Sequence, residues 1–265
     1  MISPMTYNKT FVPKSHPRYF SLLIREKLVE GFKNGLVAHE GLIAHGRGES
    51  FDYLLGEETT EPALKSINAA SALLVLADLP VLSVNGNTAA LCAKEMCELN
   101  YLLEKSAVEV NLFYRTKKRE ELIANELRKC GLKKILGVGT DILGEIPELE
   151  SNRRKVDPEG ILKADLVFVP LEDGDRTIAL KKMNKKVITV DLNPLSRTSV
   201  TADISIVDNV VRAVPQLIKC IEYHRNNSTK KELQEIVSNY SNELALREGL
   251  DIMRSSKMLT SSEHK

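Results

Sequence analysis

The sequence predicts an α/β protein, a Rossmann-like parallel sheet flanked by helices, with an N-terminal helical portion and a C-terminal helix. Three observations carry this. The runs at 166–169, 187–190 and 204–207 are short and mostly β-branched or aromatic, the composition of strands buried on both faces of a parallel sheet. Each run ends in a polar cluster, at 172–177, 191–198 and 208–209. The pattern of strand, small polar turn and helix recurs upstream, at 80–103.

In an open α/β sheet ligands sit outside the carboxyl ends of the strands, so the three clusters point to one shared site. Asp, Asn, Gly and Ser after a strand also serve as turn and cap residues. Arg176 and Arg197, each followed by Thr, go beyond that role. A cap needs no cation, whereas a guanidinium beside a hydroxyl suits an anionic ligand.

Taken in order, residues 1–17 hold three prolines and no periodicity and read as an extended arm. A helix follows from Tyr19, with apolar residues near helical spacing, until Asn34-Gly35 stops it. Arg25 lies on it and, from pattern alone, is a solvated cation. The stretch GLIAHGRGESFDYLLGE at 41–57 comes next. Gly46 and Gly48 bracket Arg47, which reads as a flexible loop offering amides and a guanidinium to an anion, with His45 beside it. The stretch is neither a Walker A loop nor a dinucleotide fingerprint.

A long helix is expected over 58–77, a buried strand over 80–84, and a helix over 89–103. Between the last two, Asn85 and Asn87 are turn residues, or Asn87 and Thr88 cap a helix whose N-terminus faces an anion. The run 108–113 is a strand leading through Arg115 into a charged helix over 117–130. Arg115 and Arg119 lie four residues apart at its start, where cations oppose the helix dipole unless a phosphate sits there. A strand begins at 134–137, and 141–163 reads as a loop in which Arg153 would be a mobile phosphate clamp. The helix over 210–223 has Pro215 in its N-terminal turn, and 230–253 forms one amphipathic helix before a disordered tail. Domain organisation follows: an arm at 1–17, one Rossmann-like domain at 18–225, and a helix with tail at 226–265.

Composition excludes several classes. With 37 Lys and Arg against 36 Asp and Glu, a net charge of +1 gives no electrostatic footprint for nucleic acid or an anionic membrane. The four cysteines lack CxxC spacing and read as buried reduced thiols, not as a metal site. No segment has the apolar length of a signal peptide core or a membrane span, so the expected location is the cytoplasm.

The segments HPRY at 16–19, GLIAHGRGESFDYLLGE, SVNGN at 83–87, EVNLFYRT at 109–116, VPLEDGDRT at 169–177, DLNPLSRT at 191–198 and IVDN at 206–209 together resemble the archaeal phosphopantothenate synthetases. The resemblance runs from about His16 to about Tyr223. It implies an ATP-dependent ligase that joins 4-phosphopantoate to β-alanine through an acyl adenylate, releasing AMP and diphosphate in coenzyme A biosynthesis, and a homodimer. Carried over by motif, ATP contacts fall on Arg25, Arg47, Asp191, Leu192, Asn193, Arg197, Thr198, Asn209 and Val210. Arg47, His45 and Asn87 are the catalytic candidates, and Arg115, Arg119, Arg153, Asn85, Asp175 and Arg176 the substrate-binding ones. Mg²⁺ is expected to accompany ATP, with Asp173, Asp175 and Asp191 as its candidate neighbours and no dedicated metal site. The rival readings are a nucleotide-binding regulatory module without turnover and a small-molecule kinase.

Overall fold

A computed structural model of the chain describes residues 12–139 and 144–255. Three helices come first: α1 (Tyr19–Lys33), α2 (His39–Leu54) and α3 (Glu61–Leu76). Then follow β1 (Pro80–Val84), α4 (Gly86–Leu102), β2 (Ala107–Val110) and α5 (Lys117–Lys129). A small hairpin of β3 (Gly144–Glu145) and β4 (Lys155–Val156) encloses a 3₁₀ turn at Asn152–Arg154. The chain continues through β5 (Leu166–Phe168), α6 (Gly174–Lys182), β6 (Lys186–Val190), α7 (Arg197–Thr201) and β7 (Ile204–Ile206). It ends in α8 (Val210–Asn227), α9 (Lys230–Asn239) and α10 (Asn242–Arg254).

The five long-range strands form one parallel sheet in the order β2-β1-β5-β6-β7. Pairing places Leu82 between Val108 and Phe168, and Ile188 beside Ile204. Successive side chains alternate faces, so Leu82, Phe168 and Ile188 join one core, with Met96, Leu99 and Leu217 from the helices over it. Val81, Val167 and Val187 join the other, against Leu180 of α6 and Ile146 and Val156 of the hairpin. Both faces are covered, which is why the strands read as unbroken apolar runs. The chain passes from β1 outward to β2 and then back to β5 on the other side of β1. The strand order therefore reverses between β1 and β5, and a crevice opens beyond their carboxyl ends.

The predicted fold class is the observed one, with local corrections. The 41–57 stretch is not a loop but most of α2. Gly41 suits it because a Cβ there would collide with the Asn87 side chain, so a small residue lets α2 lie against the start of α4. Residues 134–137 form no strand, only a single bridge from Leu136 to Glu109. The 141–163 stretch carries the hairpin. Pro215 lies inside α8 rather than in its first turn. The C-terminal amphipathic segment is two helices, because Ser241 caps a new helix on Leu244 N–H where one continuous helix was expected. Most of the arm (1–11) and of the tail (256–265) lies outside the described residues.

Candidate active site

A cavity of about 580 Å³ opens at the carboxyl ends of β1, β5 and β6. One side is α2, from Ala38 to Phe51. The opposite side is made by the turns after β1, β5 and β6, and the far end by Leu112 to Tyr114, Arg119 and Arg153. Among the residues singled out from sequence, His45, Arg47, Asn85, Asn87, Arg119, Arg153, Asp191, Leu192, Asn193, Arg197 and Thr198 line it. Arg25, Arg115, Asp175, Arg176, Asn209 and Val210 do not.

The turns are set by helix caps. Asn85 caps α4 by accepting from Thr88 N–H at 3.0 Å, and its amide donates to the carbonyls of Pro170 and Leu171 at 3.0 and 3.1 Å. Asn87 is therefore not the cap. Its amide donates to Gly41 O at 2.8 Å and fixes the start of α2. Asp173 caps α6, accepting from Arg176 N–H at 2.9 Å, and Ser196 caps α7 at Ser199 N–H. In the turn after β6, Asp191 accepts from Asn193 N–H at 3.0 Å and from the Ser196 hydroxyl. Burial pushes its carboxyl above the usual range, although those bonds pull the other way. The Thr198 hydroxyl donates to Glu172 O at 3.1 Å, and exposed Arg197 pairs with exposed Asp175 at the rim.

The arginines divide by what they touch. Arg176 is fully buried and donates to Ser83 Oγ at 3.2 and 3.1 Å while pairing with Glu172. Arg153 pairs with the other oxygen of Glu172 and lies 3.2 Å from Asp173. Burial opposes ionisation of Glu172, but the two guanidiniums overrule it and hold its carboxyl below the usual range. Burial and neighbouring Glu172 raise that of Asp173. Arg115 pairs with Glu120 and donates to Lys155 O at 2.8 Å and Gly137 O at 2.9 Å, so it is a brace outside the cavity. Arg119 donates to Leu36 O at 2.8 Å and to Tyr114 O. The buried Nε of Arg119 has no hydrogen-bond partner among the described residues, whereas that of Arg153 faces the Asp173 carboxylate at 3.2 Å. An unmatched guanidinium donor at a cavity wall is open to an anionic ligand.

A family model described as phosphopantothenate/pantothenate synthetase matches residues 62–256. The chain belongs to this family. The 4-phosphopantoate–β-alanine ligase of Thermococcus kodakarensis is 55% identical over 232 residues, 87% of this chain and 87% of its own. That of Thermococcus onnurineus is 54% identical over 239 residues, 90% of each chain. That of Methanosarcina mazei is 48% identical over 241 residues, 91% of this chain and 93% of its own.

Several charges with a structural role are not announced by the sequence. Asp52 of α2, almost fully buried, pairs with Arg212 and accepts from Asn209 at 3.1 Å. Arg212 also pairs with Asp208, which accepts from Thr59 at 2.7 Å. Asn209 thus joins α2 to the start of α8. One turn earlier on α2, Glu49 receives Arg18 at 2.9 Å and Arg25 at 2.7 Å, and Arg18 stacks over Tyr53 at 4.7 Å. Arg25 is a partner of Glu49 here, neither free in solvent nor part of the cavity lining. The four-residue spacing of Asp208 and Arg212 was the one readable signal, since such pairs share a helix face. Among the described residues no three His, Cys, Asp or Glu side chains cluster as a metal site.

Proposed function

We propose that the protein is an ATP-dependent ligase that condenses 4-phosphopantoate with β-alanine, forming 4′-phosphopantothenate, AMP and diphosphate. The observation that carries this reading is a single cavity lined by four arginines, Arg47, Arg119, Arg153 and Arg197, enough cations for two anionic substrates. Two anionic substrates laid end to end would bring the pantoate carboxylate to the α-phosphate of ATP. Holding both in one cleft turns a bimolecular encounter into an oriented one, the main demand of acyl adenylate formation.

The nucleotide belongs beside Gly48, Leu192 and the Asp191–Asn193 turn, with Arg47 and Arg197 on its phosphates. The phosphate of phosphopantoate belongs to Arg119 and Arg153: the Nε–H of Arg119 has no other partner among the described residues, and that of Arg153 would exchange the Asp173 carboxylate for the phosphate. Arg115, a candidate from the sequence, stays outside this group because carbonyls and Glu120 occupy it. Mg²⁺ would arrive with the triphosphate and find Asp173 and Asp191 within the cavity, the one or two carboxylates that such an ion uses. A homodimer and a cytoplasmic location complete the proposal. Exposed Phe20, Ile43 and Leu195 supply apolar surface for a second copy, and four free cysteines fit a reducing compartment.

Incubation with ATP, 4-phosphopantoate and β-alanine tests the reaction. Release of AMP supports the ligase, ADP would indicate a kinase, and no turnover a binding module. Arg47→Ala should lose turnover by about a hundredfold or more while unfolding as cooperatively as the parent, since its exposed side chain carries no core and its fork is asked to hold phosphate oxygens.

A further inference from the structure

Resting on the ligase reading, we infer that His45 is the base that takes the proton shed by the β-alanine nitrogen as the amide bond forms. The residues of α2 that line the cavity include Gly41, Ala44, His45, Gly48 and Phe51, spaced three and four apart along one face of the helix. Between Gly41 and Gly48 the α2 residues lining the cavity are Ala44, His45 and Arg47, and of these the imidazole is the one that can accept a proton. Gly41 touches Asn87 at the start of α4, and Gly48 backs onto Leu192 in the turn after β6. At a helical rise of about 1.5 Å per residue, His45 stands about 6 Å along the axis from the first and about 4.5 Å from the second. It therefore lies between the two ends of the cavity, where the acyl carbon would meet its nucleophile.

The competing groups are committed. Glu172 is held between Arg153 and Arg176. Asp191 accepts from Asn193 and Ser196, and Asp173 accepts from Arg176 N–H beside Arg153. Glu40 is exposed in the first turn of α2. Among the described residues the charges acting on the imidazole are those of Glu49, Asp52 and Arg25. Burial lowers its pKa, Glu49 and Asp52 counter this, and Arg25 reinforces it, and the net direction favours the neutral ring. Neutral imidazole is a proton acceptor.

The step balances as follows. The ammonium of β-alanine gives one proton to water, and the free amine attacks the acyl carbon. As the nitrogen–carbon bond forms, the nitrogen becomes positive and its surplus proton passes to His45. The oxyanion then collapses, the carbon–oxygen bond to the phosphoryl group breaks, and AMP leaves with the electron pair. The imidazolium returns its proton to water.

The test separates the two half-reactions in the full-length protein. Exchange of diphosphate into ATP, dependent on phosphopantoate and measured without β-alanine, reports adenylation. In His45→Gln and His45→Ala this exchange should persist, while amide formation slows about 10² to 10⁴-fold, the usual contribution of a positioned base. The parent's kcat should fall as acid protonates the ring, a limb that both variants should lack. Added imidazole should restore amide formation to His45→Ala, which no purely structural role predicts. Loss of both half-reactions together in folded variants, near-normal amide formation, or the absence of imidazole rescue would overturn the assignment. Failure of the ligase reading itself would appear differently, as a parent protein that releases no AMP.

Discussion

The wall of the cavity made by the turns after β1, β5 and β6 is continuous with the sheet, and each turn is closed by a cap three residues away, at Asn85, Asp173 and Ser196. The wall made by 111–119 and the hairpin segment has almost no ladder behind it. Side chains hold it: Glu109 accepts from Asp157 and Ile161 N–H at 3.0 and 2.8 Å, Asn111 donates to Arg153 O and Lys155 O at 3.2 Å each, and Arg115 reaches Lys155 O and Gly137 O. Both walls present arginines to the same space. The first wall has the parallel ladder and local caps behind it besides its long-range bonds, whereas the second rests on side-chain contacts between residues 22 to 52 apart in the chain.

The largest expected effect lies in the first wall, at Arg176. Arg176→Ala leaves Glu172 buried with only Arg153, and breaking a buried pair in this way should cost about 3 to 5 kcal/mol in urea unfolding. A stable variant with weakened substrate binding would instead return Arg176 to the ligand-binding role read from sequence. In the second wall, Arg115→Ala strands Glu120 and two carbonyls, and should cost about 3 kcal/mol of stability. Because Lys155 is two residues from Arg153, the KM for phosphopantoate should also rise while that for ATP stays put. Unchanged stability with lost preference for the phosphorylated substrate would mean that Arg115 itself binds the phosphate.

These walls also mark where sequence stops being informative. The five strands, the turns at their ends and their polar residues are local patterns, and Asn85, Asn87, Asp173, Asp191, Asn193, Arg197 and Thr198 of the cavity lining lie in those turns. Arg115 and Arg176 lie outside the cavity lining although their nearby carboxylates, Glu120 and Glu172, are within five residues, because their other bonds reach far along the chain. Nothing near Arg115 announces Lys155 O, and nothing near Arg176 announces Ser83. The hairpin was invisible because two-residue strands carry no periodicity, and α2 was hidden by its glycines.

A smaller effect tests the second wall alone. Glu109 is fully buried in β2, and burial pushes its carboxyl up to about 7, against the two backbone N–H groups and Arg176 that favour the anion. Its folded pKa thus lies above its unfolded value of 4.5. The contribution to stability is fully present below the unfolded pKa and is lost as pH rises through about 7. Between pH 4.5 and pH 7 the parent should lose on the order of 2 to 3 kcal/mol relative to Glu109→Gln, which cannot ionise, and little more above that. A slope of opposite sign would show that the backbone donors outweigh burial and that the carboxylate holds 157–161 as an anion.

The smallest effect belongs to α2, the element that closes both walls. A glycine inside a helix costs about 0.5 to 1 kcal/mol relative to alanine, so three of them argue for a loop unless other forces fix the helix. Those forces are the ion pairs of Glu49 with Arg18 and Arg25 from α1 and its N-terminal flank, and of Asp52 with Arg212 from α8. Two of the glycines have packing reasons, since a Cβ on Gly41 would strike Asn87 and one on Gly48 would touch Leu192 at 3.4 Å. Gly46 has none, with nothing within 4 Å of where its Cβ would lie. Gly46→Ala should therefore stabilise the protein by about 0.5 to 1 kcal/mol, a small rise in Tm seen by calorimetry. If turnover is unchanged, Gly46 faces only solvent. If turnover falls while Tm rises, something absent from the isolated chain, a substrate or a second copy, must approach the α2 backbone at that point, and gel filtration of the variant against the parent separates the two.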